Sequence, residues 1–246
     1  MQRYWITGIS RGIGEALARA LAGPDREIIG LSRTANPALA AELNRAGVSY
    51  RHVSIDLTDG ALLRSRAGEI FPPTASGGQL CLINNAGMIG PGRVGELSDT
   101  VDQTVGLNST ALFVLCDLFA AAYQRADARK YIFNITSGAA GSPMAGLSLY
   151  CATKASVDIF TRAMALEQES AEHPFQVAAI SPGMVETGMQ ETIRAMDPSV
   201  MPASDRFRSA RAQGAVQDVD EVAAKLVRNL FAPRPNGSVI HVRELE

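Results

Sequence analysis

Tyr150 and Lys154 stand four residues apart in the run Tyr150-Cys151-Ala152-Thr153-Lys154. On a helix, positions i and i+4 share one face, so the phenol and the ammonium point into the same space. A tyrosine titrates near ~10, and a neighbouring Lys⁺ favours the phenolate and draws that value towards working pH. A fall of about three pH units asks for roughly 4 kcal/mol from nearby positive charge. The chemistry on offer is proton donation by Tyr150, with Lys154 setting its acidity. A tyrosine and a lysine at this spacing are also a common accident, so the pair carries weight only in company.

That company lies in the turns. Thr7-Gly8-Ile9-Ser10-Arg11-Gly12-Ile13-Gly14 follows a short β-rich run. Its glycines permit a tight turn and, lacking Cβ atoms, let the backbone approach a pyrophosphate at the start of the next helix. Glycine-rich turns also arise for packing alone. Ser32-Arg33-Thr34 follows the second β-rich run. An acidic residue there holds the ribose 2′-hydroxyl of NAD, whereas an arginine accommodates a 2′-phosphate. A carboxylate would repel that phosphate, and a guanidinium binds it in a bidentate way. With Arg11 able to add a second positive charge, NADPH/NADP⁺ is expected over NAD. Later runs end at Asp56-Leu57, Asn84-Asn85-Ala86-Gly87, Ser137 and Pro182-Gly183. Singly, such an Asp is a helix cap and such an Asn-Ala-Gly a turn. Their joint placement at successive strand ends points to a site.

The elements that must position these residues alternate along the chain. β-Rich runs appear at Arg3–Thr7, Glu27–Ser32, Val48–Ile55, Leu80–Ile83, Lys130–Thr136, Gln176–Ser181 and Ser238–Val242. Helical spacing marks Gly14–Leu21, Asp99–Tyr123, Tyr150–Glu169 and Asp220–Leu230 between them. Strands separated by helices imply βαβ units, so the expected fold is a doubly wound α/β sheet of about seven parallel strands with helices on both faces. Pro72–Gly78 is the nearest thing to a linker and reads as a surface loop, leaving one Rossmann-type domain over residues 1–246. Ligands of such a sheet bind beyond the carboxyl ends of its strands, where the unusual residues gather.

Composition narrows the classes. The chain is 46% hydrophobic and 20% charged, and its net charge of −2 offers no basic surface for nucleic acid. No apolar run is read as approaching the roughly 20 residues of a membrane span. Arg3–Thr7 leads into Gly8 and Gly12 without the apolar core of a secretory signal. Cys81, Cys116 and Cys151 are too far apart for a disulfide framework or zinc knuckle, and His52, His173 and His241 are scattered singly, so no metal is expected. A reducing cytoplasm is the expected compartment.

Taken together, Thr7-Gly8-xxx-Gly12-x-Gly14, Asp56, Asn84-Asn85-Ala86-Gly87, Asn108, Ser137, Tyr150-xxx-Lys154 and Pro182-Gly183-xxx-Thr187 resemble the short-chain dehydrogenase/reductase family over essentially the full length. Asn134–Ala140, Tyr150-Cys151-Ala152 and Pro182–Gln190 look like its sepiapterin and benzil reductase group. The resemblance implies an oxidoreductase in which Tyr150 protonates a carbonyl oxygen and Ser137 hydrogen-bonds the same oxygen. Lys154 would lower the phenol's pKa and bind the nicotinamide ribose, and Asn108 would hold a water that returns protons through Lys154. The dinucleotide would lie along Thr7, Gly8, Ser10, Arg11, Gly12, Ile13, Gly14, Arg33, Asp56, Leu57, Asn85, Ala86, Gly87, Pro182, Gly183, Val185 and Thr187. Asp56 would contact the adenine, and Thr187 would bind the carboxamide.

The resemblance also bears on the substrate, a small-molecule carbonyl compound. Pterin-reducing members anchor the pterin with a carboxylate near the C-terminus. The corresponding position here is His241, with Glu244 out of register, so a 1,2-diketone is expected ahead of a pterin. The segment 184–213, with Met184, Met189, Met196, Met201 and Phe207, is expected to cover the substrate, since methionines suit an adaptable apolar lid. Met144 is a further candidate for the pocket wall, and Cys151 reads as a packing residue. Family members pair the long helices between subunits, which implies a homo-oligomer, a dimer or a tetramer. Two alternatives remain: a pterin side-chain reductase, and a sensor that binds NADP(H) without chemistry.

Overall fold

The strands are β1 (Gln2–Thr7), β2 (Arg26–Ser32), β3 (Ser49–Ser54), β4 (Gln79–Asn84), β5 (Arg129–Ile135), β6 (Gln176–Ser181) and β7 (Ser238–His241). In this computed structural model, which describes residues 1–74, 77–97 and 100–245, they form one parallel sheet in the order β3-β2-β1-β4-β5-β6-β7. Strands buried on both faces read as apolar runs, as β1, β4 and β6 do among the seven found here, while the edge strand β3 is more polar. Side chains alternate between faces along each strand. Tyr4 and Ile6 of β1 thus enter one core with α1 (Gly12–Ala20), α2 (Pro37–Arg45) and α10 (Val219–Asn229). Trp5 between them enters the other core, with α3 (Gly60–Ser65), α4 (Ala67–Ile70), α6 (Ala111–Tyr123) and α7 (Ser148–Gln168). Trp5 is fully buried among Phe71, Phe119 and Tyr123, and its indole N–H donates to the Ile70 carbonyl at 2.6 Å.

Several expectations need correction. The helix expected over Asp99–Tyr123 runs unbroken from Val101 to Tyr123 but is not regular: Asp99 lies outside the described residues, and α5 (Val101–Val105) passes through one turn of π-helix over Gly106–Thr110 into α6. A π turn inserts one residue into an otherwise periodic pattern, so apolar spacing does not reveal it. The stretch Val101–Tyr123 is also long and apolar enough to cross a membrane by length and composition, contrary to the expectation of no such run. The sheet accounts for its apolarity, because Leu112, Leu115 and Phe119 are buried in the second core. β7 ends at His241, and Val242 opens a turn of 3₁₀-helix. Helices α2, α3, α4, α8 (Gly188–Ala195) and α9 (Ser204–Ala212) join those the spacing marks. Of the loop at Pro72–Gly78, Ala75 and Ser76 lie outside the described residues.

Candidate active site

The strand order reverses between β1 and β4, which is where an open parallel sheet holds its ligand. A cavity of about 2030 Å³ opens along the carboxyl ends there. Gly8, Ser10, Arg11, Gly12 and Ile13 form one wall. Gly8 has a left-handed φ of +67°, and a Cβ on it would sit 3.0 Å from Ala86 Cα. Gly14 and Thr7 stand behind that wall. A Cβ on Gly14 would come within 2.4 Å of the Gly8 carbonyl oxygen, so this glycine lets α1 close on the turn. The Thr7 hydroxyl accepts from the N–H groups of Asn85 and Ala86 at 2.9 Å, tying the turn to the Asn85-Ala86-Gly87 wall opposite. Helix α1 begins without a side-chain cap, which leaves its first N–H groups and the positive end of its dipole for an anion.

At the far end stand Arg33, Asp56 and Leu57. The Arg11 and Arg33 side chains are exposed, and among the described residues neither makes a hydrogen bond or an ion pair. The Asp56 carboxylate accepts from the Thr58 N–H and hydroxyl at 2.9 and 2.8 Å. Those bonds, helped by Arg33, hold its pKa below the usual carboxylate range.

At the other end α7 presents Tyr150 and Lys154 to the cavity together with Ser137, which follows β5. Lys154 is buried; its Nζ donates to the Ile135 carbonyl at 2.7 Å and lies 5.8 Å from the centre of the Tyr150 ring. Burial lowers its pKa to about 8, against the opposing pull of Asp158. Lys154 contributes no resolved lowering of the phenol's pKa in this structure. Burial raises the Tyr150 pKa, and only a hydrogen bond with Ser137 pulls it down. The ammonium lies against the ring and the Ile135 carbonyl, so desolvation of the phenol prevails. Asn108, on the π turn, stands behind Gly87 with its side chain fully engaged. Its Oδ1 accepts from Met88 N–H at 2.8 Å, and its Nδ2 donates to the Met88 carbonyl at 2.8 Å and to Thr153 Oγ1 at 3.1 Å.

Pro182, Gly183, Val185 and Thr187 line the cavity beside Tyr150. The segment after them returns on itself: Val185 pairs with Gln217 in a parallel bridge, and Gln217 N–H donates to the Met184 carbonyl at 2.9 Å. Between these ends α8, α9 and the turn joining them place Met189, Met196, Met201 and Phe207 in one apolar cluster with Met144, Cys151 and Tyr150. The Tyr150 hydroxyl lies 3.9 Å from Met189 Sδ. Cys151 is packed within this cluster. His241 and Arg243 reach the cavity wall from the end of β7, while Glu244 pairs with Arg243 at 3.6 Å. Sequence reasoning missed Arg243, Gln217 and Asn36. Only Asn36 carried a signal, as an Asn-Pro helix start: its Oδ1 caps α2, and its Nδ2 donates to the Ser10 carbonyl.

A profile described as short chain dehydrogenase matches residues 2–198. The chain belongs to the short chain dehydrogenase family. It is similar to the benzil reductase ((S)-benzoin forming) of Bacillus subtilis (strain 168), 34% identical over 99% of both chains. It is also similar to the sepiapterin reductase of Meriones unguiculatus, 31% identical over 92% of this chain and 89% of the relative. Among solved structures, a short-chain dehydrogenase from Sphingobium yanoikuyae in complex with NADPH superposes with a TM-score of 0.77 at 27% identity, over 98% of this chain and 87% of that one. The KRED1-Pglu enzyme superposes at 0.80 with 20% identity over 98% and 100% of the two chains, and shares the fold. As a short-chain dehydrogenase the chain is an oxidoreductase, a carbonyl reductase in type. Its glycine turn, uncapped helix start and close Gly8 approach fit a dinucleotide pyrophosphate.

Proposed function

We propose that this oxidoreductase reduces a 1,2-diketone with NADPH as hydride donor, working as one catalytic domain in a reducing cytoplasm. The observation that carries the reading is one cavity with Tyr150, Lys154 and Ser137 at one end and two unpaired arginines, Arg11 and Arg33, at the other. The arginines suit a 2′-phosphate. Asp56 and Leu57 would meet the adenine, the start of α1 the pyrophosphate, and Lys154 and Thr187 the nicotinamide half. When bound, NADPH supplies the hydride. The protein supplies the proton: burial keeps the Tyr150 phenol protonated at neutral pH, ready to donate to the carbonyl oxygen as negative charge develops. Ser137 would steady that oxygen. With the Asn108 side chain committed to Met88 and Thr153, a water feeding Lys154 would rest on backbone at the π turn.

The apolar, methionine-rich cover over Tyr150 suits a hydrophobic dicarbonyl. His241 and Arg243 at the β7 edge leave a pterin without an anchoring carboxylate. The similar benzil reductases favour the same class of substrate.

The test is NADPH consumption with benzil, a second 1,2-diketone and sepiapterin, comparing wild type with Tyr150→Phe. Benzil turnover is expected, with the variant losing at least about 10²-fold in kcat while NADPH affinity stays within about twofold. NADPH binding without turnover on any carbonyl would sink the reading and move the sensor alternative forward; a preference for sepiapterin would show that His241 does not exclude pterins.

A further inference from the structure

Arg33 can recognise a phosphate only if the turn that carries it is fixed, and an exposed turn has no packing to fix it. The turn from Ser32 to Asn36 is held by hydrogen bonds at both ends. At the far end Asn36 Nδ2 donates to the Ser10 carbonyl at 3.1 Å and to Glu15 Oε1 at 3.0 Å. At the near end two residues of β3 do the work. Ser54 Oγ donates to the Arg33 carbonyl at 3.0 Å. His52 sits two residues before it on the same side of the strand, with Nε2 2.9 Å from Ser32 Oγ. Ser32 gives its own hydrogen to the Thr34 carbonyl at 2.9 Å. Its oxygen can therefore only accept from His52, so His52 carries its hydrogen on Nε2. Burial holds the His52 pKa below its ordinary value, and the ring is neutral at neutral pH.

We propose that His52 is a positioning residue for 2′-phosphate recognition: through Ser32 it locks the turn that presents Arg33 to the cavity. The relay runs from the imidazole N–H to the Ser32 hydroxyl and on to the Thr34 carbonyl, and with Ser54 on the Arg33 carbonyl both successive carbonyls are held from β3. Hydrogen bonds in such a chain polarise one another, and removing the first donor weakens the second. Neither His52 nor Ser54 lines the cavity, so both act through the backbone that bears Arg33. This inference rests on the NADPH reading and adds the device that would give the site its selectivity.

The experiment is calorimetric titration of the protein with NADPH and NADH, for wild type, His52→Ala, His52→Gln and Ser54→Ala, with and without Arg33→Ala. His52→Ala is expected to weaken NADPH about five- to tenfold and NADH less than about twofold. His52→Gln, whose amide offers an N–H where the imidazole Nε2 stands, should restore most of the loss. Against Arg33→Ala the His52→Ala effect should vanish, because the turn then has no guanidinium to place. Ser54→Ala, on the exposed side of the strand, should move NADPH affinity the same way by a smaller amount and serves if His52→Ala fails to fold. Equal losses for both nucleotides, no rescue by glutamine, or an undiminished effect without Arg33 would each overturn the relay. A wild type that binds NADH as tightly as NADPH would instead refute the NADPH reading itself.

Discussion

The two groups proposed to handle the proton are tuned in opposite directions by the same burial. Tyr150 is held protonated and Lys154 is pulled down to about 8, because a dry site disfavours the charged form of each. In the proposed mechanism, reduction needs the phenol protonated and is helped by a charged Lys154. The sign follows: below about pH 8 both conditions hold, and above it Lys154 loses its proton first. The rate of benzil reduction at saturating NADPH is therefore expected to fall as pH rises through about 8. A pH profile of kcat for wild type and Lys154→Arg checks the assignment, since an arginine stays charged throughout. In the variant the whole curve drops, but its alkaline limb should move up by at least one pH unit, roughly, if Lys154 owns it. A limb that stays in place belongs to another group. Much of this site was legible in the sequence, for a physical reason: residues that need a backbone approach, a left-handed turn or a fixed i, i+4 spacing leave type and distance in the chain. What was not legible is environment. Spacing put the ammonium near the phenol but could not show that Lys154 gives a hydrogen to the Ile135 carbonyl, or that desolvation would outweigh its charge.

At the scale of elements the division runs between segments whose surroundings resemble one another and segments whose surroundings do not. Strands β1, β4 and β6 are buried on both faces and read directly from their apolar runs. Helix α9, by contrast, carries three arginines, Arg206, Arg208 and Arg211, beside Asp205, a face that follows local ion pairing instead of a core. Those charges shape the proposed lid. Glu186 accepts from the Arg194 guanidinium at 2.5 and 3.2 Å and lies 3.2 Å from Arg211, while Arg208 donates to the carbonyls of Arg194 and Met196. Glu186 thus joins the clamped base of the segment to both of its helices. Glu186→Ala leaves the Arg194 side chain, only 9% exposed, without its carboxylate. The expected outcome is a KM for benzil raised about five- to tenfold, a loss of roughly 1–1.5 kcal/mol, the size of one net hydrogen bond. NADPH affinity should hold, and limited proteolysis should cut within 188–213 faster than in wild type. Unchanged KM with unchanged cleavage would mean that the apolar cluster alone holds these helices.

At the scale of the whole molecule, the sheet and its two cores leave an apolar stripe of α7 uncovered. On the outer side of α7, Ile159 is 63% exposed and Leu166 is 66% exposed. They stand seven residues apart with the exposed Ala163 between them, on one stripe of the helix. The stripe runs beside α6, joined to it by a Phe113–Phe160 ring pair at 4.3 Å. Two large exposed aliphatic side chains on one helix stripe suit a two-fold contact in which the same stripe meets its copy. We propose that the chain dimerises through α6 and α7. A stable contact of this kind buries on the order of 800 Å² per partner, with these two side chains near its centre. Replacing both by lysine places like charges against each other across the two-fold axis. Sedimentation of wild type at micromolar concentration is expected to show a dimer, and Ile159→Lys with Leu166→Lys a monomer that retains its circular-dichroism signal. If the double variant sediments as wild type does, assembly uses another face. A wild-type tetramer reduced to a dimer by the same pair of changes would keep this contact and place a second one elsewhere. The contact would also bear on the chemistry, because α7 carries Tyr150 and Lys154 on its inner side. A partner packed along the outer stripe would stiffen the helix that aligns them, so the monomeric variant should turn over benzil more slowly while binding NADPH through the opposite end of the cavity as well as wild type does.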